Sequence, residues 1–422
     1  MSATSEPHSS PDVSAAPTPP RATLTPLRST TFRHLAAAYA INELGNWIGD
    51  VALAILVFDR TGSALATAAL FLALRFAPAA VAPVFTSRLE VFAARRILPA
   101  IHLLEAAIFA SIAWLSMHFS LPAVLALAIA DGVLAITAKA LTRSSTVALL
   151  RPHGALREGN AIINMGATAG GAVGPALAGA LVGTLGPAPA LLTDAVTFVV
   201  VAAILATATG LRLERHGGRG SLRRMRSGLG EAWSSPAVRH LLVAQALALV
   251  FFSAVIPIEV VFAKRTLHAG DSGYGALLAA WGLGMVAGGA AYAAAARVPL
   301  LLLLGLSTTL VAVGYGGLAL APNLAVACAF STVGGVGNGA QWIGVVTAIQ
   351  EGVSSASQSA TMALLESINQ VMPAIGFLLG GAVAALASPR AAYGTAAVGV
   401  MLVLLAAASR LPFDLERVEG RA

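Results

Sequence analysis

Apolar runs of about 20 residues recur along most of this chain, each closed by a short polar or Gly/Pro-bearing stretch. Twelve can be bounded, at 34–57, 63–85, 97–118, 121–142, 160–184, 187–209, 239–262, 272–295, 298–319, 323–346, 360–386 and 391–409. Most match the length at which a helix crosses the roughly 30 Å hydrocarbon layer of a bilayer. The pattern therefore predicts twelve transmembrane helices. Two runs depart from uniform apolarity. In the first, Asn42, Glu43, Asn46 and Asp50 recur at spacings of three and four, which puts them on one stripe of a helix. A charge at mid-bilayer costs about 2.5–3.5 kcal/mol even on the lenient insertion scale, so this stripe must face protein or water. The fifth run, Asn160–Leu185, carries Gly166, Gly170, Gly171, Gly174, Ala178, Gly179 and Gly183. Such a flat face lets two helix backbones approach closely in lipid. Pro175 removes a backbone donor in mid-run, a loss that neighbouring helices can absorb.

Composition agrees with this picture. The 422 residues are 57% hydrophobic and 11% charged, against about 25% charged in an ordinary soluble domain. This is the composition of a polytopic membrane protein. One cysteine, Cys328, rules out an internal disulfide. The net charge of +7 does not gather on one domain and so does not point to nucleic acid. The N-terminal tail, the second, fourth, sixth and eighth inter-span loops and the C-terminus together hold 21 of the 26 Lys and Arg, though the eighth loop holds only Arg297. Only Arg60, Lys264, Arg265 and Arg390 fall in the alternate loops, and Arg75 lies inside a span. The positive-inside rule then sets both termini on the cytoplasmic side of a plasma membrane. An excess of Arg over Lys and abundant Ala suggest a GC-rich bacterial source. The chain divides into a Ser/Pro-rich tail expected to be disordered (1–31), a first six-span half (32–210), a basic central loop (211–237), a second six-span half (238–410) and a C-terminal tail (411–422). An amphipathic helix lying on the membrane surface fits Leu222–Trp233, as does a plain tether.

Several motifs resemble those of the major facilitator superfamily. The fifth run is similar to the Gly-x-x-x-Gly-Pro-x-x-Gly-Gly pattern of its drug/proton antiporters, with Gly170, Gly174, Pro175 and Gly179 in place and Ala178 at the first of the last two glycines. The loop TSRLEVFAARRIL resembles the superfamily's signature loop. Glu90 stands for its acid and Arg95–Arg96 for its basic pair, while Thr86 and Val91 replace a Gly and an Arg. Asn160 at the start of the fifth run, Asp194 in GPAPALLTDAVTF, and Thr347 with Gln350 at the end of the tenth resemble the branch that holds enterobactin-exporter-like and macrolide-efflux-like proteins. Gln358–Ser359 stand where that branch has Gly-Arg. The resemblance implies an all-α integral membrane protein of the major facilitator fold, twelve helices in two six-helix bundles around a central cavity, and gating by Glu90, Arg95, Arg96 and Arg143.

The expected function is export of a small amphipathic molecule (a drug, siderophore or secondary metabolite) by alternating access, with proton antiport as the driving reaction. Asp50, Asp131 and Glu43 are the candidate proton-coupling groups. Arg75 is permanently charged and needs a carboxylate, for which Asp50 on the adjacent span is the natural partner. Asn46, Asn338, Gln341 and Trp342 are candidates for the substrate cavity. Glu105 and a lone His102 read as structural. No P-loop, CxxC or His/Glu metal pair occurs in the sequence, so neither an ATP-driven pump, an enzyme nor a cofactor is expected. The partners expected are substrate, lipid and protons, for a chain acting as a monomer. Uptake or uniport on the same fold, and a non-transporting receptor or assembly factor, stand as alternatives.

Overall fold

A computed structural model describes residues 25–89, 92–213, 236–295, 297–352 and 358–409. Twelve long helices make up these residues: α1 (Thr30–Thr61), α2 (Ala64–Leu89), α3 (Ala94–Leu115), α4 (Leu121–Leu150), α5 (Leu156–Leu185), α6 (Pro187–Thr207), α7 (Val238–Thr266), α8 (Gly270–Ala294), α9 (Leu300–Leu320), α10 (Leu324–Gly352), α11 (Gln358–Leu386) and α12 (Pro389–Ala408). Eleven are long and apolar enough to cross a membrane. The remaining one, α10, is of full length but diluted by glycines, Asn338 and Gln341.

Local chemistry explains the helix ends. Ser29 accepts a hydrogen bond from the Phe32 amide and caps α1. A 3-10 turn at Thr25–Arg28 precedes it, within the stretch 1–31 read from composition as a tail. Gly62, in the left-handed region at φ 61°, ends α1, a conformation that glycine adopts without penalty. Ser63 then caps α2 and Ser388 caps α12. Helix α4 runs on to Leu150 and so carries Arg143 within it, and α5 starts at Leu156, which places Asn160 one turn inside the helix.

Helices α1–α6 form one bundle, in which α1 packs on α5 and α6, α3 on α4 and α6, and α2 on α4. Helices α7–α12 form the second, with α10 between α8 and α9, and α7 between α11 and α12. Loop residues 214–235, with the segment Leu222–Trp233, lie outside the described residues. The two bundles meet along two seams, α5 against α8 and α2 against α11. The glycine face of α5 serves both its partners. Gly166 and Gly170 lie against Ala40, Glu43 and Leu44 of α1, and a Cβ at Gly174 would stand 2.5 Å from the Trp47 Cβ. Further along, a Cβ at Gly179 would stand 2.7 Å from the Gly275 Cα, and one at Gly275 would stand 2.5 Å from the Pro175 carbonyl oxygen. So α5 packs within its own bundle through its first half and across the seam through its second.

Two helices contain irregular turns, and both turns carry charge. A π turn at Leu72–Phe76 in α2 holds Arg75. Helix α7 passes through a 3-10 turn at Ile256–Ile258, centred on Pro257, and a π turn at Phe262–Thr266. Glu259 follows the first and Lys264 lies in the second. Such turns re-aim side chains and recur at functional sites.

Candidate functional site: a cavity between the two halves

Between the bundles lies a cavity of about 290 Å3. Helix α1 lines it with Trp47, Asp50 and Val51, and α2 with Phe71 and Arg75. The second bundle contributes Ile256 and Glu259 from α7, Tyr274 and Leu278 from α8, and Asn369, Gln370, Pro373 and Phe377 from α11. Gln370 also borders a cleft of about 440 Å3, lined by Phe76, Ala79 and Ala80 of α2 and by Glu366, Ser367 and Val371 of α11. The cleft lies further along these two helices, towards the end of the molecule where α2 finishes.

The opposite end, where α1 finishes, is held shut. Phe71 and Phe377 meet across the seam at 5.8 Å between ring centroids, and a Cβ at Gly381 would stand 2.8 Å from the Ala68 Cβ. Lys264 of α7 forms ion pairs with Asp59 of α1 and Asp271 of α8. The Arg265 guanidinium sits 5.0 Å over the Phe58 ring. No polar pattern in the sequence marks this latch, because its members come from the ends of three separate helices.

Arg75 and Asp50 form the expected ion pair. The Asp50 side chain is 18% exposed and Arg75 is 58% exposed, towards the cavity. Removing one partner of a fully buried pair costs about 3–5 kcal/mol, and exposure of Arg75 should bring the loss below that. Arg75→Ala is expected to lower the yield of folded protein, and addition of Asp50→Asn to recover much of it. Strictly additive losses would show that the pair is not coupled.

Behind Asp50, inside the first bundle, a cavity of about 40 Å3 is lined by Asn46, Asp50, Leu74, Arg75, Phe109, Asp131, Gly132 and Ala135. Asp131 is 7% exposed, and its Oδ1 has no hydrogen-bond partner. Asn46 and Ala135 also border a second small space, of about 30 Å3, together with Asn42, Glu43, His102 and Lys139. Both spaces carry several polar groups and are large enough for a water molecule. Glu43 pairs with Lys139 of α4 at 3.7 Å. Asn46, expected at the substrate cavity, thus faces the interior of the first bundle. His102 is not alone, since its Nδ1 lies 2.6 Å from Glu105 Oε2 one turn on, with both side chains buried. Asp194 is fully buried, accepts a hydrogen bond from Thr197 Oγ1 at 2.9 Å, and fills the space left by Gly45 and Gly49 of α1.

The other expected positions scatter. Gln341, expected at the cavity, instead donates to Gln245 Oε1 at 3.0 Å inside the second bundle. Two amides in an apolar interior satisfy each other there. They line a separate, mostly apolar cavity of about 230 Å3 among α7, α9, α10 and α12. Asn338 is half-buried and Trp342 is 40% exposed. Of the gating set, Arg95 donates to the Ala206 carbonyl at 3.4 Å, Arg96 and Arg143 are exposed, and Glu90 lies outside the described residues. Glu259 and Tyr274 also line the cavity, and the sequence does not mark them as cavity residues. The only signal was an acid two residues after a proline in an apolar run.

Residues 21–419 match the family described as transmembrane secretion effectors, a branch of the major facilitator superfamily. The chain belongs to that family. It is a major facilitator transporter of two six-helix bundles, with its cavity where the bundles meet. Similar solved structures agree on the fold. A bacterial homologue of the iron transporter ferroportin in an inward-facing state superposes with a TM-score of 0.72 at 14% identity, covering 91% of this chain and 99% of that one. A bacterial homologue of the human lysosomal transporter Spinster, inward-facing and occupied, gives 0.69 at 17% identity, covering 93% and 97%. The nucleoside transporter NupG gives 0.69 at 10% identity, covering 90% and 98%. No curated protein sequence matches the chain. At these identities the likeness concerns the transporter's fold and not its substrate.

Proposed function

We propose that this transporter exports a small amphipathic molecule from a bacterial cytoplasm by alternating access, as a monomer, in exchange for protons. The observation that carries the reading is the central cavity, which is sealed at one end by glycine seams, the Phe71–Phe377 contact and the Lys264 ion pairs and which shares Gln370 with a cleft on the side of the other end. With both termini inside, as the Lys and Arg distribution favours, the shut end is extracellular and the cavity faces the cytoplasm. Aromatic and aliphatic walls with a few polar groups suit an amphipathic substrate. The two bundles then rock about that site, so that the α5–α8 and α2–α11 contacts part as the cytoplasmic side closes.

For coupling, a carboxylate must exchange protons with one side at a time. Asp131 supports this role better than its rivals. Asp50 is held by Arg75 and Glu43 by Lys139, whereas one Asp131 oxygen is unpartnered and borders the same small space as Asp50. Proton entry from outside would pass the cavity and Asp50 before reaching it.

The test is a compound screen in an efflux-deficient bacterial host that expresses the protein. Lower accumulation of at least one amphipathic compound, abolished by a protonophore, is expected. Raised accumulation would favour uptake. No change for any compound, from protein shown to be in the membrane, would count against transport.

A further inference from the structure

The central cavity holds more acceptors than its own side chains satisfy. Asp50 and Arg75 neutralise each other, and the Gln370 amide donates to Glu366 at 3.3 Å. Glu259 lines the cavity and has no hydrogen-bond or ion-pair partner among the described residues. Asn369 Oδ1, on the facing helix α11, is buried and also without a hydrogen-bond partner. Both unmatched groups therefore call for a donor, and one of them, as a carboxylate, calls for positive charge. The rest of the wall is aromatic, with Trp47 and Phe71 from the first bundle and Tyr274 and Phe377 from the second. Ring faces attract a cation and accept an apolar body equally well.

We infer that the cavity selects protonated amphipathic amines, with Glu259 as the counter-ion, Asn369 as a second acceptor and the four rings around the apolar part. This rests on the cavity being the substrate site, and it narrows the substrate class from amphipathic molecules to organic cations that carry an N–H. The local fold supports the assignment. Glu259 directly follows the 3-10 turn at Pro257, and that turn brings a carboxylate to the cavity from a helix that is otherwise apolar around it. A carboxylate in a membrane interior is costly unless paired, and a bound ammonium would pair it. Anions would meet both the unneutralised Glu259 and an Arg75 already engaged by Asp50, so they should be rejected.

The test uses the full-length purified protein in lipid nanodiscs and three probes of one shape, 1-naphthylmethylamine, 1-naphthylmethanol and 1-naphthylacetate, measured by equilibrium dialysis. The amine should bind at least about tenfold more tightly than the alcohol, and the carboxylate should bind more weakly than either. Glu259→Gln should remove the preference for the amine, lowering the amine's affinity at least about tenfold more than the alcohol's, while Glu259→Asp should keep part of the preference. Thermal unfolding of each variant identifies any loss that is due to misfolding, and Glu259→Asp then decides the matter. Equal binding of amine and alcohol, tighter binding of the carboxylate, no binding of any probe, or an amine preference that survives Glu259→Gln would each overturn the inference. Binding is read without transport. A protein that selects the amine through Glu259 but moves nothing across a membrane would refute the export reading and leave this inference standing.

Discussion

A Gly179→Leu protein is expected to fold and reach the membrane but to lose most of its transport. The position faces the other bundle, and a Cβ there would stand 2.7 Å from the Gly275 Cα and 3.1 Å from the Asp271 carbonyl oxygen. Backbone atoms cannot rotate away as a flexible side chain can. The larger side chain therefore acts as a wedge in the α5–α8 seam, where overpacking of this kind costs about 1–3 kcal/mol. The penalty falls on the state with this seam closed and not on the state in which it has parted. A shift of that size moves a two-state population by roughly 5- to 150-fold, enough to trap the transporter away from the conformation described here. Gly174→Leu should also reduce transport, by a different route. Its side chain would meet Trp47 of the same bundle, so part of the loss should appear as lower stability. Leu192→Val, at a position 47% exposed on α6, serves as the control and should transport normally. Compound accumulation and thermal stability, measured on the same preparations, separate the two routes. Full transport by well-folded Gly179→Leu would remove the functional case for the glycine face.

Asp131→Asn is expected to fold, still bind substrate, and lose accumulation driven by a pH gradient. The substitution keeps the shape of the side chain and removes its ability to take up and release a proton. Asp131 is enclosed by Leu74, Phe109, Gly132 and Ala135, with Asp50, Arg75 and Asn46 around the same small space. Exchange of substrate down its own gradient needs no net proton movement and should survive. In proteoliposomes the expected result is pH-driven accumulation reduced by at least about tenfold, with substrate exchange retained. Retained accumulation in Asp131→Asn together with its loss in Asp50→Asn would reverse the two roles. If neither change mattered, uniport would replace antiport.

Much of this architecture is legible in the sequence because a bilayer imposes strict rules. Every spanning helix must be long and apolar, and charge must lie in loops or face protein. The twelve helices follow from the first rule. The Asp50–Arg75 pair follows from the second, since a permanently charged residue inside an apolar run needs a carboxylate within reach. The flat face of α5 is visible as a glycine series, but its partners are not. That Gly170 and Gly174 serve α1 while Gly179 and Gly183 serve α8 depends on how two bundles are placed side by side. The same limit explains Gln341. Polarity and helix position suggest a cavity, and the structure satisfies its amide with Gln245, 96 residues away. The pairing of Lys139 with Glu43 is likewise hidden, because it depends on how α4 is placed against α1. Glu259 was hidden by irregular backbone, because the turn at Pro257 changes which face the following residues present.

In alternating access the two ends of one cavity open in turn. Spin labels at the exposed residues Leu185 and Leu386 report on the shut end, and labels at Ser87 and Glu351 report on the open end. Distances within each pair can be measured by electron double resonance in lipid nanodiscs, at high and low pH and with a compound that the transporter exports. Two populations are expected, with weights that shift in opposite senses, the distance at one end lengthening as the distance at the other shortens. Distances at both ends that stay single and unchanged under every condition would contradict it.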